Sequence, residues 1–126
     1  LRGKNIILLK KVGMKKIKIK KVSEHDIQNA VIDFLKWRKD IYWFRNNSFS
    51  GQIKRPNGST GYVKNDKKGS PDIICGYKGQ WIGLEIKTDI GRQSPEQKKA
   101  EKEIEFARCQ YFIIREDLSV LDIIFS

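Results

Sequence analysis

Two patterns of apolar and polar residues run along this chain, one at helical spacing and one of short β-rich runs, and each predicts a kind of element. Ile27, Ala30, Val31, Phe34 and Leu35 recur at helical spacing, so one face of a helix is core. Ser23-Glu24-His25-Asp26 opens it: Ser23 can cap, Asp26 follows three residues on, and the acids suit the positive end of the helix. Ile41 to Asn47 is rich in aromatics and ends in turn formers, which predicts a strand. Ile73 to Tyr77 and Gln80 to Leu84 are two β-rich runs separated by Lys78-Gly79, a hairpin with a two-residue turn. Ser94-Pro95-Glu96 starts a second helix, with a capping serine, a proline in the first turn, and core positions at Ala100, Ile104 and Ala107. Gln110 to Ile114 is a further buried strand, and the apolar stretch Leu118 to Phe125 favours a short helix.

This order predicts an α/β fold, a small mixed β-sheet flanked by helices. The helical crossover between Leu84 and Ile113 makes their strands parallel. From Ser48 to Lys68 the chain is polar and Gly-rich and predicts a long loop. Cys75 falls on the apolar face of the hairpin and Cys109 stands alone, so neither a zinc site nor a disulfide is expected. His25, the single histidine, has no partner at metal or nucleophile spacing and is expected on the surface of the first helical turn.

Charge divides the chain unevenly. Its 126 residues carry a net charge of +11, with 33% charged and 39% hydrophobic residues, enough for one core. Nine of the 26 Lys and Arg residues lie in 1–22, where there is no acid, leaving 17 against 15 acids in 23–126. We therefore divide the chain into a basic arm, 1–22, and a domain, 23–126. The arm suits phosphate contact weakened by salt, or a solvated tail. Within it, Met14 to Lys20 alternates in the manner of a short edge strand with a lysine face. Ile6-Ile7-Leu8-Leu9 is too short for a secretory apolar region, so a soluble, cytoplasmic protein without a membrane span is expected. Gly58-Ser59-Thr60-Gly61 lacks the spacing and Lys-Ser/Thr ending of a P-loop, which argues against a nucleotide cofactor.

The candidate chemistry lies in Gly69-Ser70-Pro71-Asp72 and Glu85-Ile86-Lys87. With Lys78-Gly79 as the turn, Tyr77 pairs with Gln80, Cys75 with Ile82 and Ile73 with Leu84, which sets Asp72 opposite Glu85. Alternation places Asp72, Ile74, Gly76, Trp81, Gly83, Glu85 and Lys87 on one face, and Ile73, Cys75, Ile82, Leu84 and Ile86 on the other. Two facing carboxylates repel and call for a cation; Mg²⁺ takes one or two carboxylates together with water and phosphate. Lys87 can orient or activate a water and stabilise charge developing on a phosphate.

These residues resemble the PD-(D/E)XK nucleases. Gly69-x-Pro71-Asp72, Glu85-Ile86-Lys87 and the following Gln93-Ser94-Pro95-Glu96-Gln97 look most like the VRR-NUC branch, over roughly Ser23 to Asp122. The resemblance implies a restriction-endonuclease-like core in which Asp72, Glu85 and the Ile86 carbonyl hold Mg²⁺ or Mn²⁺ and Lys87 assists phosphodiester hydrolysis. It also implies supporting roles for Glu24 on the first helix, as a further metal contributor, and for Gln97 near the lysine. The stand-alone members it resembles look like homodimers acting on branched DNA, four-way junctions included.

Lys54, Arg55, Lys67, Lys68, Arg92 and Lys98 are the candidate contacts to a nucleic-acid backbone, with Phe49 and Tyr62 as aromatics among them. The expected activity is thus a metal-dependent DNA endonuclease. Three alternatives are a nuclease of broader DNA substrate choice, a non-catalytic nucleic-acid-binding protein, and an RNA-directed enzyme, since nothing in the sequence reads a 2′-hydroxyl. A binder has no need of a lysine two residues after an acid that faces a second acid.

Overall fold

The computed structural model describes residues 21–46, 51–63 and 67–126. In chain order its elements are α1 (Glu24–Lys36), β1 (Tyr42–Arg45), β2 (Gly51–Lys54), β3 (Thr60–Val63), β4 (Ile73–Tyr77), β5 (Gln80–Ile86), α2 (Pro95–Phe106), β6 (Gln110–Ile114) and α3 (Val120–Ile124). Four strands form one mixed sheet in the order β1-β4-β5-β6. Both β1–β4 and β4–β5 are antiparallel, and β5–β6 is parallel. Residues 1–20 of the arm, with their edge-strand pattern, lie outside the described residues, as does Phe49. Among the described residues no helix is long and apolar enough to cross a membrane.

Local chemistry accounts for the element boundaries. At the start of α1, Ser23 Oγ accepts the Asp26 amide at 3.1 Å and Asp26 Oδ2 accepts the Ser23 amide at 3.0 Å, a reciprocal capping box. Lys78 and Gly79 both take positive φ, 48° and 76°, the two left-handed residues that match a tight turn to the twist of its strands. The pairs Ile73–Leu84, Cys75–Ile82 and Tyr77–Gln80 then follow, in the register predicted.

The core occupies one face of the sheet. Ile73, Cys75, Ile82, Leu84, Ile86 and Ile114 meet Ile27, Val31, Ile32 and Leu35 of α1 and Leu121 and Phe125 at the end of the chain. Arg38, just beyond α1, makes two 2.8 Å bonds to the Asp40 carboxylate and a third to the Phe125 carbonyl, joining α1 to α3. The opposite face carries Phe44, Ile74, Trp81, Gly83 and Glu85, with α2 alongside.

Two expectations are corrected here. The stretch from Ser48 to Lys68 is not all loop: Gly51–Lys54 and Thr60–Val63 pair as an antiparallel hairpin. Its Pro56-Asn57-Gly58 tip closes through the Gly58 amide on the Arg55 carbonyl, 2.9 Å, and the Arg55 amide on the Ser59 carbonyl, 2.8 Å. Gly51–Lys54 and Thr60–Val63 are four residues each, too short to show an apolar alternation, and Ile53 and Tyr62 stand exposed. Secondly, α2 has no fully buried residue: Ala100 and Ile104 are half-buried and Ala107 is exposed. Two alanines and one isoleucine among lysines and glutamates are too small an apolar strip to cover the sheet beneath, and a cleft remains open there.

Candidate functional site

The Gly-x-Pro-Asp segment is shaped by two close approaches. Gly69 has φ +88°, and a Cβ there would sit 2.5 Å from the Glu96 carbonyl oxygen in the first turn of α2. Pro71 is buried, and its Cγ lies 2.5 Å from where a Cβ on Gly83 would stand. From β1, the Asn46 amide donates to the Asp72 carbonyl at 2.8 Å and Asn46 Nδ2 to the Pro71 carbonyl at 3.2 Å. Asp72 is thereby fixed one step past the paired register, and its Oδ2 accepts the Ile86 amide at 2.7 Å.

Glu85 is 1% exposed, the one buried charged residue of the described chain. Its Oε2 accepts Gln97 Nε2 at 3.0 Å, and its Oε1 has no hydrogen-bond partner. Burial first, then the neighbouring Asp72 carboxylate, push the Glu85 carboxyl up to about 9; Lys87 acts against them and Glu24 adds a little to the rise. Gln97 is itself held: its Oε1 accepts the Ser94 amide at 2.8 Å, and Ser94 Oγ accepts the Gln97 amide at 3.1 Å. The capping box of α2 therefore turns the Gln97 NH₂ group toward Glu85.

Lys87 is half-buried at the end of β5, with its amide on the Ile114 carbonyl at 3.0 Å. The loop after it is pinned by β6's continuation. Arg115 Nη1 donates to the Thr88 carbonyl and, at 2.9 Å, to the Gly91 carbonyl. The Asp89 amide meets Glu116 Oε2 at 3.3 Å, and the Glu116 amide meets Asp89 Oδ1 at 3.1 Å. Sequence reasoning missed Arg115 and Glu116, since no local pattern marks a residue whose partner lies more than twenty positions back.

Asp72, Glu85, Ile86, Lys87 and Gln97 are thus gathered around one end of β5. Glu24 is exposed at the start of α1 and reaches Glu85 through its charge alone. Among the described residues no group of three or more His, Cys, Asp or Glu is placed to hold a metal ion. The two-carboxylate set nevertheless suits Mg²⁺, which keeps much of its water and binds through one or two carboxylates. The unpartnered Glu85 Oε1 is the kind of atom a cation satisfies, because a buried, unpaired carboxylate oxygen is costly.

The six basic candidates do not form one patch. Lys54 and Arg55 belong to the β2–β3 hairpin, where Arg55 Nη1 is turned back onto the Thr60 carbonyl at 3.1 Å, a structural role. Arg92 and Lys98 are exposed around the start of α2. Lys67 and Lys68 are drawn toward α2, each 3.9 Å from a glutamate, Glu103 and Glu96 respectively. With Lys99 they edge a cleft of about 650 Å³ whose apolar lining includes Phe44, Ile74, Trp81 and Ile104. The cleft borders Ser70 and Pro71. No family model matches the chain, and no curated protein is similar enough in sequence to stand as its relative.

Proposed function

We propose that the protein is a Mg²⁺- or Mn²⁺-dependent endonuclease of the PD-(D/E)XK kind, VRR-NUC branch, with a restriction-endonuclease-like core. Its reaction is phosphodiester hydrolysis in DNA, selective for branched forms such as four-way junctions, carried out by a homodimer. The observation that carries this reading is the Glu85 carboxylate: buried to 1%, short of one hydrogen bond, facing Asp72, and followed two residues on by Lys87. An ordinary hairpin has no reason to bury an acid beside a second acid, since burial there forces the group to keep a proton or to bear an unfavourable charge.

Asp72 and Glu85 would hold the ion, with the Ile86 carbonyl as a further ligand implied by the family resemblance. The ion, when bound, supplies charge stabilisation for a phosphoryl oxygen and a more acidic water. Asp72 is oriented for its part by the Ile86 amide, and Glu85 by Gln97. Lys87 orients the attacking water and stabilises the charge that grows on the phosphate, while the Arg115-pinned loop holds the chain beyond it in place.

The reading is tested by cleavage of a labelled four-way junction beside linear duplex and single strand, in Mg²⁺, Mn²⁺ and EDTA, with Lys87→Ala as control. Metal-dependent cuts at the junction, lost in the variant, are the expected result. Salt-sensitive binding of every probe with cleavage of none would establish a nucleic-acid-binding protein in its place.

A further inference from the structure

The cleft between α2 and the sheet combines two chemistries, exposed aromatic faces and lysine ammonium groups. Its floor presents flat aromatic area: Trp81 is 37% and Phe44 48% exposed, on neighbouring parts of the face that also bears Asp72 and Glu85. Its edge presents cations, Lys67, Lys68 and Lys99, against Glu103 as the one acid among the described lining residues. The 3.9 Å approaches of Lys67 to Glu103 and Lys68 to Glu96 are surface pairs, weak enough to exchange for phosphate. Every base has a π-face, and every linked nucleotide a phosphate, so a single strand matches both features at once. A duplex buries its base faces and offers only the second.

Position supports the same occupant. Pro71 is part of the lining and the next residue is Asp72; Trp81 lies four residues before Glu85 on β5, about 13 Å along a strand. A chain passing the carboxylates thus enters the cleft within a short length. A second copy of this protein is the poorer fit, because its matching face brings three lysines of its own and, among the described lining residues, only Glu103 to meet them.

We propose that the cleft is a subsite for unpaired nucleotides, in which Trp81 and Phe44 stack bases and Lys67, Lys68 and Lys99 take the flanking phosphates. Resting on the nuclease reading above, this narrows the branched substrates to those with a single-stranded segment beside the scissile bond, in preference to fully paired four-way junctions.

The test is fluorescence anisotropy of the 126-residue chain in EDTA with two probes, a short oligothymidylate and an abasic strand of the same length and charge. The wild-type protein is expected to bind the abasic strand about five- to a hundredfold more weakly. Trp81→Ala should lose that discrimination and Trp81→Phe keep it, while Lys99→Ala should weaken both probes alike and lower the salt slope by about one. Equal binding of the two probes by the wild type overturns the proposal, and this comparison stands whether or not Trp81→Ala folds. So does a Trp81→Ala protein that still discriminates, or one that changes from dimer to monomer in light scattering, which would identify a second copy as the occupant. Cleavage in Mg²⁺, absent in Lys87→Ala, reports on the nuclease reading separately, so either idea can fail while the other holds.

Discussion

Gln97 Nε2 donates to Glu85 Oε2 at 3.0 Å while Gln97 Oε1 accepts the Ser94 amide at 2.8 Å, so one side chain both closes the N-terminus of α2 and orients the buried carboxylate. The two duties can be separated. Ser94→Ala removes the other half of the capping box and leaves the amide on Glu85; it should cost about 1 kcal/mol of stability with little loss of cleavage. Gln97→Ala should cost a similar amount and also lower kcat about tenfold or more, through the loss of that orientation. Thermal melts beside single-turnover cleavage decide it; equal losses of cleavage in the two variants would mean that the helix position matters and the amide does not.

Removal of either carboxylate should end cleavage. Asp72→Ala frees the Ile86 amide and takes a negative charge away from the phosphate path, while Glu85→Ala removes the buried acid, which carries its proton until a cation displaces it. Cleavage should fall to background in each, with DNA affinity unchanged or higher, as read by gel cleavage and by anisotropy. Full activity in either variant would refute the site.

Glu85 also predicts a pH dependence. Its carboxyl is pushed up to about 9 in the folded protein, chiefly by burial, while in the unfolded chain it has the ordinary value of about 4.3. Between those values the folded, metal-free protein holds a proton that the unfolded chain releases. Stability from this group is therefore complete below about pH 4 and is lost as pH rises toward 9. Glu85→Gln keeps the shape and the Gln97 contact without the charge. At about pH 8 it should be more stable than wild type by on the order of 2 kcal/mol, the scale of an unsatisfied buried polar group, with a flatter profile. Denaturant unfolding in EDTA across the range measures this, and parallel profiles for the two proteins would contradict it.

The glycines make a structural prediction with a built-in control. Gly83→Ala would drive a methyl into the Pro71 ring, and Gly69→Ala would set one against the Glu96 backbone at an unfavourable φ. Each should cost about 1–3 kcal/mol and reduce cleavage, since both positions seat Asp72 against β5 and α2. Gly79→Ala also sits at positive φ, yet a Cβ there meets nothing within 4 Å. It should cost about 1 kcal/mol and leave kcat unchanged.

What the chain alone determined is what lies close along it. The Lys78-Gly79 turn set the register of β4 and β5, and with it the meeting of Asp72 and Glu85, because a two-residue turn leaves only one pairing. Both capping boxes were legible in part for the same reason: Ser23 with Asp26, and Ser94 ahead of Pro95, act over a single helical turn. The parallel pairing of β5 with β6 followed from a helix-length crossover. Tertiary structure decided the rest. The exposed hairpin β2–β3 has too few apolar residues to announce itself, and the thin apolar strip of α2 looked like a core face until the space it left uncovered was seen. The burial of Glu85, the grip of Arg115 on the loop after Lys87, and the meeting of Phe44, Trp81 and Lys99 in one cleft each join segments that are far apart in the chain. Local spacing carries no information about such meetings, because they depend on how the elements pack and on which groups that packing cuts off from water.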